Sequence, residues 1–178
     1  MSYLNKTITI PLVDKNDKDL GPIERWEAHK ENILHRGFTV CILYKNCVLL
    51  QHRKHPAFGG MFDLTSSSHQ TITDGRIQPI EDAVSTMLKR EWIIDEDIMS
   101  TLIKKGSFIY QARDEISNLY EYEICHFFTV SINSIPQIHY DYAYGFSVVD
   151  ISTMQNSAWP GRSLFVPWAQ RIVDLYFK

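Results

Sequence analysis

Three histidines, His29, His35 and His69, and two glutamates, Glu121 and Glu123, carry the chemistry needed to hold a divalent ion. Three imidazoles with two carboxylates suit Mn²⁺, Zn²⁺ or Mg²⁺, and the imidazole count favours the transition metals. Taken singly, each histidine also reads as a surface or hydrogen-bonded residue. The glutamates stand out by context. They lie in Leu119-Tyr120-Glu121-Tyr122-Glu123-Ile124-Cys125-His126-Phe127-Phe128-Thr129-Val130, an aromatic and β-branched run without Gly or Pro that reads as a strand. Side chains alternate across a strand, so Glu121 and Glu123 share one face while Tyr120, Tyr122 and Ile124 share the other. Neighbouring carboxylates in an apolar strand repel and lose hydration. They need a cation between them, unless the strand is a wet edge.

Glu91 raises the same question on a helix. Pro79 opens a helix over about Ile80 to Ile93, and its apolar stripe Val84, Met87, Leu88 continues onto Glu91. A carboxylate on the core-facing side needs a partner.

The remaining elements must bring these positions together. Thr7 to Val13 reads as a strand. The acidic turn Asp14-Lys15-Asn16-Asp17-Lys18-Asp19 resembles a calcium loop only in its acidic spacing, and its misplaced Gly and closing Glu make it a hairpin turn. Arg25 to Leu34 reads as a short helix carrying His29. Gly37 to Tyr44 and Cys47 to His52 are near-continuously apolar, as in central strands covered on both faces. The chain turns basic at His52-Arg53-Lys54-His55, and a short segment follows from Phe62 to Ser68. Ser107 to Ala112 and Gly145 to Ile151 are further strands, and Pro167 to Phe177 is an amphipathic closing helix. This order predicts a compact mixed α/β domain.

Bulk properties narrow the classes. At 178 residues the chain fits one domain, and 44% hydrophobic with 22% charged residues is an ordinary globular balance. A net charge of −3 argues against a nucleic-acid partner, and no apolar run approaches membrane-spanning length. Met1 to Lys6 lacks the apolar segment of a signal peptide, and Cys41, Cys47 and Cys125 form no CxxC pair, so reduced thiols in a cytoplasmic protein are expected.

One family fits these residues in order. His29 and His35 before a strand, Leu49-Leu50-Gln51-His52-Arg53, an aromatic-Gly-Gly turn, Ser68-His69, Glu81-Asp82-Ala83-Val84 through Arg90-Glu91, and Glu121-Tyr122-Glu123-Ile124-Cys125 resemble type I isopentenyl diphosphate isomerase, of the Nudix superfamily. The resemblance spans about Pro11 to Phe177. It implies a single Nudix-like domain over residues 1–178, an α/β/α sandwich with a central mixed sheet, one Nudix-type helix and a C-terminal helix. It also implies a small-molecule diphosphate substrate. By resemblance His29, His35, His69, Glu121 and Glu123 would hold the catalytic Mn²⁺ or Zn²⁺, and Glu91 would help bind Mg²⁺ at the diphosphate. Arg25, Arg53 and Lys54 would clamp the phosphates. Glu123 would be the acid/base on one side of the double bond, with Tyr110 or Tyr122 assisting.

This chain departs from the family at four places. Ser67 stands where the family has its second proton-handling residue, a Cys two positions before the ligand His. A serine hydroxyl ionises far above a thiol. Ser163 stands in place of a Trp, leaving Trp159 or Trp168 as stand-ins, and Met87 replaces an Arg. His29 and His35 are one residue closer than in the family. The hydrolase side of the superfamily fits less well, since Ile94 and Asp95 fall where its paired glutamates belong and Asp97 replaces its Gly. An isomerase-like enzyme, a phosphoanhydride hydrolase and a non-catalytic diphosphate binder remain the three readings.

Overall fold

The computed structural model describes residues 6–94 and 96–178, without the side chains of residues 96 and 97. The start of the chain that bears on a signal peptide, the carboxylate of Asp95 and the side chain of Asp97 therefore lie outside the described residues.

Strand β3 (His35–Tyr44) is the axis of the sheet. One edge pairs in parallel with β10 (Tyr120–Ile132) along its whole length. The other edge has three successive partners: β1 (Thr9–Val13) at His35, β6 (Ser66–Ser68) at Phe38 to Val40, and β4 (Cys47–Arg53) at Leu43 and Tyr44. β9 (Ile103–Arg113) adds to β10, β11 (Ala143–Asp150) and the two-residue β5 (Phe62–Asp63) add to β4, and β2 (Asp19–Glu24) adds to β1. These nine strands form one mixed sheet. A separate small hairpin joins β7 (Ile72–Thr73) to β8 (Arg76–Ile77).

Alternation along β3 and β10 divides the core into two layers. Phe38, Val40 and Ile42 pack with Ala83, Val84, Met87, Leu88 and Trp92 of α2 (Ile80–Trp92). Cys41, Cys125 and Phe127 pack with Trp168, Ala169, Ile172 and Val173 of α4 (Pro167–Tyr176). The sheet is thus held between two helices, the α/β/α arrangement expected, with both faces of the central strands buried. The short helix α3 (Ile151–Gln155) follows β11, and no helix among the described residues is long and apolar enough to cross a membrane.

Two local differences from the sequence reading position the site. Helix α1 (Arg25–Lys30) stops four residues earlier than the expected Leu34. Asn32 adopts a left-handed conformation (φ 54°), which an Asn tolerates better than most residues, and the chain turns at once into β3. Strand β2 was unforeseen because Gly21-Pro22 masks it. Pro is tolerated there because β2 lies at the sheet edge. The acidic segment before β2 is a hairpin turn, as expected: Asp14 Oδ1 accepts the Asn16 and Lys18 N–H groups at 2.8 and 3.0 Å.

Candidate metal centre and cavity

Four elements deliver the five expected ligands to one place. α1 supplies His29, the start of β3 supplies His35, the residue after β6 is His69, and β10 supplies Glu121 and Glu123. In the β10 register Glu123 lies opposite His35 of β3 and opposite Tyr110 of β9. The imidazole centroids of His29, His35 and His69 are 4.8 to 5.3 Å apart. One ligand atom from each of these histidines and from Glu121 lies within 4.8 Å of the others. The Asn32 turn lies between His29 and His35, whose rings meet edge to face.

Each ring is oriented from behind. His29 Nδ1 bonds the Tyr120 carbonyl at 2.8 Å and His35 Nδ1 bonds the Ile33 carbonyl at 2.7 Å. A backbone carbonyl can only accept, so both Nδ1 atoms carry the proton and both Nε2 lone pairs are left for a ligand. His35 Nε2 is buried, makes no hydrogen bond of good geometry, and lies 3.4 Å from Glu123 Oε1. Glu123 is the most tightly held group: His69 Nε2 lies 2.8 Å from Oε1, and the Tyr110 hydroxyl donates to Oε2 at 2.8 Å.

The charges are frustrated without a cation. Burial, then the adjacent Glu123 charge, pushes the Glu121 carboxyl well above its usual range. Burial also opposes the Glu123 charge, but the His35 and His69 imidazoles outweigh it and hold that carboxyl well below its usual range. Burial, followed by mutual repulsion, keeps His29 far from protonation, and burial lowers His69 as well. Tyr110 is held protonated by burial and the Glu123 charge. Three imidazoles facing a carboxyl pair are a donor set for one divalent ion.

Beside this cluster is a cavity of about 30 Å³, walled by Arg25, Arg53, His55, Ser67, Ser68, Arg90, Glu91, Tyr110 and Trp168 together with His69, Glu121 and Glu123. That is room for little more than one water, so a larger ligand enters only as wall side chains give way. Arg25 and Arg53 are buried there. Lys54, expected with them, is not: its Nζ donates to the Tyr140 carbonyl at 3.1 Å on the outer surface. Period-two alternation past the end of β4 explains this, since Arg53 and His55 then face inward and Lys54 outward. Glu91 finds the partners its position demanded, with Arg90 donating to Oε1 at 2.6 Å and Gln51 to Oε2 at 3.2 Å. Met87 packs fully buried among the α2 core residues and makes no contribution to the cavity.

Ser67 lies at the cavity wall. It accepts from Trp168 Nε1 at 2.9 Å and shares a 2.8 Å hydrogen bond with Thr39 Oγ1. Of the two tryptophans expected as stand-ins, Trp168 reaches the cavity, whereas Trp159 packs on Phe165 with centroids 5.8 Å apart. Ser163 is exposed and donates to the Pro160 carbonyl at 2.7 Å. Tyr122 lies on the β10 face opposite the glutamates, so Tyr110 is the tyrosine at the site. Three groups escaped the sequence reading. His55 and Arg90 were visible as basic residues, while Asp63 gave no signal because nothing in its neighbourhood predicts burial.

No family model matches the chain. Among curated proteins, it is 29% identical over 167 residues to the isopentenyl-diphosphate Delta-isomerase of Pectobacterium atrosepticum, covering 90% of this chain and 87% of that one. It is 26% identical over 166 residues to isopentenyl-diphosphate Delta-isomerase 2 of Photorhabdus laumondii, covering 92% and 89%. Among solved structures, Deinococcus radiodurans DR0079 superposes with a TM-score of 0.68 at 13% identity, over 94% of this chain and 99% of that one. The Escherichia coli dihydroneopterin triphosphate pyrophosphohydrolase gives 0.54 at 14% identity (79% and 93%), and the NUDIX domain of Shewanella oneidensis NrtR, complexed with ADP ribose, gives 0.50 at 13% (68% and 74%). The fold is the Nudix fold. In that Nudix frame, α2 is the helix that carries Glu91 to the cavity, and α4 covers the opposite face of the sheet.

Proposed function

We propose that this chain is a divalent-metal-dependent enzyme that moves the double bond of a short isoprenoid diphosphate, interconverting isopentenyl and dimethylallyl diphosphates. The observation that carries the reading is the meeting of three histidines, Glu121 and the Tyr110-supported Glu123 beside a cavity ringed by Arg25, Arg53 and Arg90. The names of the curated relatives support it.

The residues fit a resident ion. His29, His35 and His69 are anchored from behind or held by Glu123, and the His35 Nε2 atom is buried without a good hydrogen bond. His29, His35, His69 and Glu121 would hold Mn²⁺ or Zn²⁺ with Glu123 at its edge, and Glu91 would share Mg²⁺ with the diphosphate. When bound, that positive charge offsets the repulsion between Glu121 and Glu123 and keeps their carboxylates ordered.

The chain's own groups do the rest. Arg25, Arg53 and Arg90 bind the diphosphate with planar, multidentate donors. Glu123 exchanges a proton with the terminal carbon, and Tyr110, kept protonated, donates to Oε2 and fixes the carboxylate that carries that proton. Ser67 faces the cavity where a proton leaves the carbon on the other side of the double bond. The Trp168 ring lines the same wall, where an aromatic π face stabilises developing positive charge.

A phosphoanhydride hydrolase would draw on several carboxylates of the Nudix helix. Among the described residues Glu91 is the one carboxylate that α2 brings to the cavity, and Ile94 is buried in the core. The test is NMR of protein supplied with Mn²⁺ or Zn²⁺ and Mg²⁺ and incubated with isopentenyl diphosphate in D₂O. Dimethylallyl diphosphate carrying deuterium is the expected product. Phosphate or pyrophosphate release without isomer supports the hydrolase, and binding without turnover supports a diphosphate-binding relative.

A further inference from the structure

Serine is a weak proton acceptor, yet the chain places one where a proton must be taken up, so the groups behind Ser67 decide whether it is competent. Asp63 of β5 stands directly behind it. Its side chain is fully buried. Oδ2 accepts from Arg53 Nη1 at 2.7 Å, and Oδ1 accepts the Leu64 N–H at 2.8 Å and Trp168 Nε1 at 3.0 Å. The same indole N–H reaches Ser67 Oγ at 2.9 Å. One donor therefore clamps the serine oxygen and the aspartate oxygen side by side. An indole N–H only donates, so it leaves the Ser67 proton for an acceptor, and Thr39 Oγ1 at 2.8 Å either donates to Ser67 Oγ or competes for that proton. Burial raises the Asp63 carboxyl above its ordinary range, against the Arg53 charge and the Ser67 hydroxyl nearby. The hydrogen bonds of Asp63 go to Arg53, Leu64 and Trp168 and to none of the candidate metal ligands.

Resting on the isomerase reading above, we propose that Asp63 is a positioning residue that acts through Ser67, holding the hydroxyl toward the substrate and receiving its proton as the substrate C–H bond breaks. The balance is simple. The C–H electron pair becomes the new π bond and neutralises the adjacent carbocation. The released proton forms an O–H bond to Ser67 Oγ, and the original Ser67 proton passes to the Asp63 carboxylate. Ser67 is a neutral alcohol before and after, and the carboxylate has become the acid. The reverse reaction returns both protons. Arg53 compensates the buried carboxylate in the resting state, and Trp168 keeps both oxygens in line.

A rescue experiment separates this role from a structural one. Asp63→Asn should lower kcat by about 100-fold, the scale of a lost general base, with KM changed less than about threefold. A thiol ionises without help, so adding Ser67→Cys should recover at least about tenfold of that loss. Trp168→Phe, which keeps the ring and removes the shared N–H, gives a second route if the Asn variant does not fold. It should lower kcat by about tenfold and also be relieved by Ser67→Cys. Full activity in Asp63→Asn or Trp168→Phe overturns the inference while the isomerase reading stands. So does a double variant that melts like the wild type yet stays as slow as Asp63→Asn. An unreactive wild type together with an unreactive Ser67→Cys overturns the isomerase reading, and this inference with it.

Discussion

The Glu123 carboxylate occupies the space where a Cβ on residue 37 would project: a Cβ built on Gly37 comes 2.5 Å from its Cδ, Oε1 and Oε2. Gly37 of β3 is therefore a vacancy cut for Glu123, and the carboxylate cannot retreat because His69 and Tyr110 hold it at 2.8 Å. Gly37→Ala should displace Glu123, weaken divalent metal binding by tenfold or more and lower turnover similarly, with a cost in stability of about 1–3 kcal/mol. Metal titration and thermal melting of the variant check this. Unchanged affinity would mean that Glu123 has room to move.

Glu121 should affect the metal-free and metal-bound protein in opposite directions. Without metal its carboxyl is buried beside Glu123, so Glu121→Gln should raise thermal stability by about 1 kcal/mol. With metal it removes a ligand, and the stabilisation gained by adding Mn²⁺ or Zn²⁺ should shrink. At a hundredfold excess over Kd that gain is about 2.7 kcal/mol for a single site. Melting curves with and without metal decide it, and a variant less stable in both states would contradict the charge argument.

The buried histidines fix a pH dependence. Burial lowers His29, His55 and His69 in the native protein, while in the unfolded chain they ionise near 6.5. Above about pH 6.5 both states hold these rings neutral and stability is full. As pH falls below that, the unfolded chain takes up protons that the native chain refuses, and each histidine costs up to about 1.4 kcal/mol per pH unit. Glu121, raised in the native state, works in the opposite sense. Metal-free denaturation between pH 7 and 5 should therefore show stability falling with pH, more steeply in Glu121→Gln. A flat profile would show that the imidazoles can charge in place.

Arg53 and Lys54 should separate cleanly. Lys54→Ala removes a surface contact to the Tyr140 carbonyl and should leave KM for the diphosphate within about twofold. Arg53→Ala strands the buried Asp63 carboxylate and should destabilise by about 3 kcal/mol as well as raise KM. Denaturant titration and steady-state kinetics read the two effects. A large rise in KM for Lys54→Ala would mean that its side chain swings inward on binding.

Much of this site was legible in the sequence where periodicity speaks. The period-two pattern of β10 put Glu121 and Glu123 on one face, and the helical stripe through Val84, Met87 and Leu88 placed Glu91 inward. That β3 runs beside β10 was not legible from pattern alone, because parallel pairing joins residues about ninety positions apart with no local turn to announce it. Lys54 was grouped with Arg53 by the family resemblance, whereas strand alternation turns it to the outer surface, away from Arg53 and His55. Asp63 was invisible. A buried carboxylate is specified by Arg53, Trp168 and Ser67, which are distant in sequence or carry no charge pattern.

The convergence of His29, His35, His69 and Glu121 on one ion is tested most directly by calorimetric titration of metal-free protein with Mn²⁺ and Zn²⁺, without diphosphate. One site per chain is expected, accompanied by proton release that grows as pH is lowered and lost when His35 is changed to Ala. No saturable binding, or binding of equal strength in His35→Ala, would contradict a metal centre at these residues.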